Sequence, residues 1–437
     1  MQSHSQRKVT SRYLAVAVML VTLTGLYAQE PVPELELIPG KSSQLSWPGL
    51  DAPITVRLPT SWTADRKWPV IFYYHGTGGR TTISLPVDYT GGDHFVIVGM
   101  TYTIKGSVSG DQSEQFYRDT MRIFEEVRAH LAQVASVDPD RAYVGGFSKG
   151  GWTAAYFADK HPLKIAGALI LGAGVNPFRE GEELQRFRDD TPIYVGVGQL
   201  ELNYAVSLQS ADHYGKRGAR VTLDVYDGQG HQPASNPRSD FLEQWLLIEA
   251  YRDDVKQLKP AFDKWLAKLG EKMAATRQPV TKYLMLERAG NAPFARFLNK
   301  VQRQNFSSQL EQLRKQPAVA EEWELRARYE STRRNESEGG FRLANWENVI
   351  LDYSTVYRRG PHTTFGKRAG IDALRVLDSI REAIRQRSKS GRETGDFMLK
   401  NARLIAELEK IPRSSLVTYF SEFRRTLTIP LSEPGPR

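Results

Sequence analysis

The chain has 437 residues, 40% of them apolar and 10% aromatic, which excludes wholesale disorder and leaves room for two or three cores. It contains no cysteine, so disulfides, thiolate metal sites and a cysteine nucleophile are excluded. The net charge of +9 is uneven: residues 251–437 hold 36 Lys+Arg against 23 Asp+Glu, and residues 1–250 hold 23 against 27, a split that predicts two domains with different partners.

At the N-terminus, Arg7, Lys8 and Arg12 precede an uncharged apolar stretch over residues 13–28. Leu26 and Ala28 fit a cleavage site before Gln29. This predicts a signal peptide over 1–28 and an exported protein, periplasmic or extracellular. An uncleaved N-terminal anchor is the alternative, although the stretch is short for a bilayer. No later segment is apolar enough to cross a membrane, and Pro31 to Pro33 reads as a linker.

Compact apolar runs follow at 54–58, 70–74, 95–98, 142–145, 166–171, 193–197 and 221–226. Most are continuously apolar, the pattern of strands buried on both faces of a parallel sheet. Between them, residues 115–134 carry Phe116, Met121, Ile123, Phe124, Val127 and Leu131 as a helical stripe. Strands alternating with helices predict an α/β domain over 29–252, a mostly parallel sheet flanked by helices. A helix through Phe241 and Trp245 closes it.

From about residue 253 strand signals nearly vanish. Phe262, Trp265, Leu266 and Leu269 form one helical stripe. Leu343, Trp346, Ile350, Tyr353 and Tyr357 form a second, and Ala373, Val376, Leu377, Ile380 and Ile384 a third. Breaks are expected near Pro260, Gly339, Gly360, Gly391 and Pro412. Residues 253–437 therefore read as a separate, basic, all-helical domain. The stretch from Tyr353 to Leu374 is similar to a tetratricopeptide hairpin, but no second copy recurs at a fixed period.

The chemistry centres on Gly146-Phe-Ser148-Lys-Gly150, which lies between a predicted strand and a predicted helix. Strand, sharp turn and helix are the context in which a G-x-S-x-G serine becomes a nucleophile. Such a serine needs a base, an orienting acid and oxyanion donors. The glycine-rich stretch from His75 to Gly79, with Gly76 and Thr77, follows a strand and suits oxyanion binding. The second donor would be the backbone N–H of Lys149. His231, leaving the last strand, is the candidate base. Glu201, the one carboxylate in the preceding strand's loop, is the candidate acid. The order Ser148, Glu201, His231 spans intervals of 53 and 30 residues, the α/β-hydrolase order. Asp189 and Asp190 lie at the wrong end of their strand, and Asp227 is very close to His231.

Together, the His75 to Gly79 loop, Asp138-Pro-Asp-Arg141, the Ser148 pentapeptide and Gly228-Gln-Gly-His231 resemble secreted α/β-hydrolase esterases. The similar branch comprises polyhydroxybutyrate depolymerases, feruloyl esterases and phospholipase/carboxylesterases, and the resemblance covers about residues 40–250. It implies a serine hydrolase cleaving carboxylic esters through an acyl-enzyme at Ser148, with His231 as general base. The acid loop of that family reads Gly-x-x-Asp, whereas this chain has Glu201.

No cofactor is implied. His94, His130, His161, His213 and His362 show no metal-ligand spacing, so no metal is expected. The Lys149 side chain has two readings, recognition of an anionic group beside the ester and plain solvation. Tyr102 and Thr103 are candidates for the pocket wall. The charged segment between Leu171 and Ile193 is too short for a large lid, which predicts an open site for a polar or bulky ester, small or polymer-linked. Two other functions stay open: a prolyl-oligopeptidase-like peptidase, and a non-catalytic binding protein on this scaffold. For the basic helical half, the candidates are an anionic surface, a protein partner, or packing on the acidic half. Nucleic acid is not expected.

Overall fold

In the computed structural model, the apolar runs assemble into one eight-stranded sheet of order β1-β2-β4-β3-β5-β6-β7-β8. The structure describes residues 38–50, 52–103, 112–175, 185–234, 238–339, 343–389 and 396–431. The expected signal peptide and linker lie outside them, as do 176–184 of the short charged segment. Among the described residues no helix is long and apolar enough to cross a membrane.

The strands are β1 (Ser42–Leu45), β2 (Ile54–Arg57), β3 (Trp68–Tyr74), β4 (Val96–Met100), β5 (Val137–Phe147), β6 (Gly167–Leu171), β7 (Pro192–Gly198) and β8 (Arg220–Tyr226). From β4 to β8 every neighbouring pair is parallel, whereas β1 and β2 run antiparallel at one edge. β1 is absent from the apolar runs because its residues 42–44 are polar and largely solvated. β5 begins earlier than its apolar run: residues 138–141 belong to the strand, and Val137 pairs with Trp68 across a register irregularity.

Both faces of the sheet are buried, so consecutive side chains feed two cores. Val70, Phe72 and Tyr74 of β3 point to one side, with Ala168 and Ile170 of β6 and Ile193 and Val195 of β7. Two helices cover that side, α2 (Gln112–Val134) and α3 (Lys149–Lys160), through Phe116, Phe124, Val127, Ala154 and Phe157. The earlier α1 (Ser84–Thr90) lies on the opposite face with α5 (Asp240–Ala250), while α4 (Tyr204–Lys216) follows β7. Arg141 donates to the Glu249 and Ala250 carbonyls, placing a cation at the C-terminal end of α5 where the helix dipole favours it.

The C-terminal half is helical, as its stripes require: α6 (Lys259–Ala275), α7 (Pro279–Asn291), α8 (Lys300–Arg314), α9 (Pro317–Gly339), α10 (Leu343–Arg359), α11 (Thr364–Lys389), α12 (Asp396–Lys400), α13 (Ala402–Leu408) and α14 (Arg413–Leu427). Its core is continuous with the second face of the sheet. Tyr143, Tyr194 and Trp245 join Trp265, Tyr283, Phe294 and Tyr353 in one apolar cluster. Residues 360–363 turn α10 back into α11, and the buried Glu322 carboxylate accepts from the Thr364 and Phe365 N–H groups at the start of α11. The two halves also meet through charge. Arg288 and Arg424 reach Asp224, Arg288 also reaches Asp240, Arg296 reaches Asp190, and Arg368 reaches Asp227. The opposite signs of the two halves are thus partly satisfied at their own junction.

Candidate active site

Ser148 occupies the turn between β5 and α3, with φ 56° and ψ −117°. A non-glycine residue with positive φ costs roughly 1–3 kcal/mol, sustained only where the surroundings hold it. Here the Ser148 N–H donates to the Leu171 carbonyl at 2.9 Å, and the Ser148 carbonyl accepts from Trp152 N at 3.0 Å. Gly150 is required by close approach: a Cβ there would lie 2.0 Å from the Tyr74 carbonyl oxygen. The turn packs directly on β3, which leads into the glycine-rich candidate oxyanion loop. Gly76 abuts the serine, since a Cβ built on it would sit 3.5 Å from Ser148 Cβ. Thr77 is exposed in the turn that follows.

The loop itself is held from within. His75 Nδ1 lies 2.7 Å from the Gly76 carbonyl, and Gly79 N donates to that same oxygen. The buried Tyr102 hydroxyl donates to the His75 carbonyl at 2.8 Å, so Tyr102 supports the loop. The Lys149 side chain is not simply solvated. Its Nζ lies 4.1 Å from the Tyr102 ring centroid and 4.8 Å from that of Phe116, and partial burial lowers its pKa.

Glu201 and His231 come together from the loops after β7 and β8. Glu201 Oε1 lies 2.7 Å from His231 Nδ1. The carboxylate is 1% exposed and the imidazole 45%, so a buried carboxylate backs an imidazole that opens to solvent. Asn203 Nδ2 contacts the same Glu201 oxygen at 3.4 Å and donates to the Gly172 carbonyl at 2.9 Å. The hydrogen bond to Glu201, reinforced by its charge, raises the His231 pKa against the opposing effect of burial. The imidazole packs on Phe147, centroid to centroid 4.6 Å, and Phe147 immediately precedes Ser148. This tilted ring contact places the imidazole beside the residue that precedes the serine.

The two loops touch through their backbones. Leu200 N donates to the Gln229 carbonyl at 2.8 Å. Gly198 permits this approach, because a Cβ there would fall 2.3 Å from the Gly230 carbonyl oxygen. Two of the other candidate carboxylates are engaged elsewhere, Asp227 with Arg368 and Asp190 with Arg220 and Arg296. Asn203 and Gln199 contribute to this arrangement although no motif marks them, and Phe147 fills a variable position of the serine motif.

The sheet order, the strand–turn–helix at Ser148 and the parallel strands leading to Glu201 and His231 define an α/β-hydrolase fold. Residues 95–241 match the phospholipase/carboxylesterase family model. Acyl-protein thioesterase 1 of Neurospora crassa is 27% identical over 117 residues, which is 26% of this chain and 47% of that relative. The chain therefore aligns with about half the relative's length. A solved phospholipase/carboxylesterase from Dyadobacter fermentans is 18% identical, with 41% of this chain and 88% of that one covered at a TM-score of 0.34. The carboxylesterase of Bacillus cereus is also 18% identical, with 46% and 92% covered at a TM-score of 0.35. The family match ends before the helical half begins.

Proposed function

We propose that the protein is a serine hydrolase acting on carboxylic esters through an acyl-enzyme at Ser148. The observation that carries this reading is the 2.7 Å pair of buried Glu201 and half-exposed His231, whose ring lies against Phe147 next to a serine in a strained turn. Glu201 binds the Nδ1 proton, which leaves Nε2 as the basic nitrogen. His231 Nε2 takes the proton of Ser148 Oγ as that oxygen bonds to the ester carbonyl carbon. The carbonyl oxygen gains the negative charge and is stabilised by backbone N–H groups at Lys149 and in the Gly76–Thr77 loop. Collapse expels the alcohol, which takes the proton from His231. Water, deprotonated in turn by His231, then releases the acid and regenerates Ser148.

The family match over residues 95–241 supports this class of reaction. The test is a panel of short-chain nitrophenyl, acetyl-sugar, feruloyl-sugar and hydroxybutyrate esters, run with fluorophosphonate labelling on wild type and Ser148→Ala. Turnover and label should both disappear in the variant. Wild-type turnover retained by Ser148→Ala would overturn the assignment.

A further inference from the structure

The acid loop and the base loop both end on the C-terminal helices, outside the matched stretch of chain. Gln199, two residues before Glu201, is completely buried. Its Nε2 donates to Asp372 Oδ2 at 3.1 Å and to the Arg368 carbonyl at 3.3 Å, both on α11. Its Oε1 accepts from the Gly228 N–H, in the loop that leads to His231, at 3.1 Å. One amide therefore joins the acid loop, the base loop and α11, using donor and acceptor together.

The base loop has a second tie. Asp227, four residues before His231, pairs with the Arg368 guanidinium at 2.7 Å. The anchor is itself fixed. Asp372 accepts from the Tyr329 hydroxyl at 2.8 Å and from Arg375 Nε at 3.2 Å, while Arg375 grips Glu336 with two bonds of 2.6 and 2.7 Å. Asp372, Tyr329, Arg375 and Glu336 are buried, and Arg368 and Asp227 are half-buried, so α9 and α11 present a hydrogen-bonded wall to the loops. Gly228 meets α14 as well: a Cβ there would lie 3.3 Å from the Val417 carbonyl oxygen.

We infer that Arg368 and Asp372 are positioning residues, through which the helical half holds the acid and base loops so that Glu201 and His231 stay aligned. The inference rests on the hydrolase reading above for its catalytic consequence, and on geometry alone for the alignment. The backbone bond between Leu200 and Gln229 sets the spacing of the loops. The ties at Gln199 and Asp227 fix that pair of loops to the wall, and Arg375 over the Tyr204 ring, 4.3 Å from its centroid, holds the start of the helix that follows the acid loop. Small displacements of catalytic groups are costly because turnover depends on their angles as well as their contact.

The test uses the full chain. Arg368→Met removes the guanidinium; Asp227→Asn is a milder change on the loop side; Arg368→Lys keeps a cation for Asp227. Turnover of a nitrophenyl ester is measured per serine titratable by fluorophosphonate, and His231 titration is followed by NMR. Arg368→Met and Asp227→Asn should lower kcat about tenfold or more with KM within about twofold. The His231 pKa should fall toward the ordinary histidine value, and Arg368→Lys should recover much of both effects. Unchanged kcat per serine and unchanged His231 titration, with only a lower melting temperature, would overturn the inference. Wild type that neither turns over esters nor labels at Ser148 would instead defeat the hydrolase reading, and the His231 titration would still decide the alignment.

Discussion

Gln199 and Glu201 stand two residues apart on one loop, both buried, and serve opposite sides of it. Glu201 reaches His231 at 2.7 Å, and Gln199 reaches Asp372 at 3.1 Å. Gln199 therefore ties the loop to the helical half, while Glu201 on the same loop serves the hydrolase sheet. This division organises what should happen when either is changed.

Glu201→Gln keeps the shape of the side chain and removes its charge. A neutral amide cannot both hold the Nδ1 proton and stabilise the imidazolium that forms during reaction. We expect kcat to fall about 10²–10⁴-fold with KM little altered. Steady-state kinetics on a nitrophenyl ester check this, and a change under threefold would move the acid role to another group.

In the proposed mechanism, the same pair sets the pH dependence. The base works when His231 is neutral, and Glu201 raises the His231 pKa by binding its protonated form. A raised pKa means that higher pH is needed to free the base, so the acid limb of kcat/KM should lie above the ordinary histidine value of about 6.5. In Glu201→Gln the limb should move down. A limb that stays in place would show that another group controls it.

Much of this was readable along the chain, for reasons local to each segment. Seven strands announce themselves as short apolar runs, most of them buried on both faces, while β2 and β8 at the outer part of the sheet are only half-buried on one side. β1 does not, since residues 42–44 are polar and largely solvated at the sheet edge. Ser148, Glu201 and His231 each follow a strand, so parallel topology alone gathers their loops at one end of the sheet. The tie between Gln199 and Asp372 spans 173 residues. A single buried amide leaves no periodic trace, and no local pattern could have marked it. The charge asymmetry was visible, but its junction through Arg288, Arg368 and Arg424 depends on how the helices pack.

Gly150→Ala tests the serine turn separately from its chemistry. The new Cβ would meet the Tyr74 carbonyl at 2.0 Å, with backbone on both sides and no flexible side chain to yield. Relief requires moving α3 away from β3. We expect a loss of about 3 kcal/mol or more in urea unfolding, together with loss of fluorophosphonate labelling. Near-native stability would mean that the turn sits more loosely on β3 than described.

Near residue 252 the hydrolase half leans on the helices that follow it. The helix that ends the hydrolase half, α5, is buried along nearly its whole length, and much of that burial comes from residues beyond the boundary. Gln244 accepts from Phe294 N at 3.0 Å, Asp240 from Ile429 N at 3.0 Å, and Glu243 from Leu431 N at 3.2 Å. Phe241 lies under the Arg288 guanidinium, 4.2 Å from ring centroid to charge, and Asp224 loses both Arg288 and Arg424 if the chain stops at 252. Uncovering this face exposes a contiguous apolar surface of the kind that drives aggregation. A chain of residues 29–252 should therefore be recovered aggregated or without cooperative unfolding, while the full chain unfolds cooperatively. Gel filtration and thermal melts followed by near-UV dichroism distinguish the two. A soluble, cooperatively folding 29–252 fragment would show that the hydrolase half closes its core without the helices.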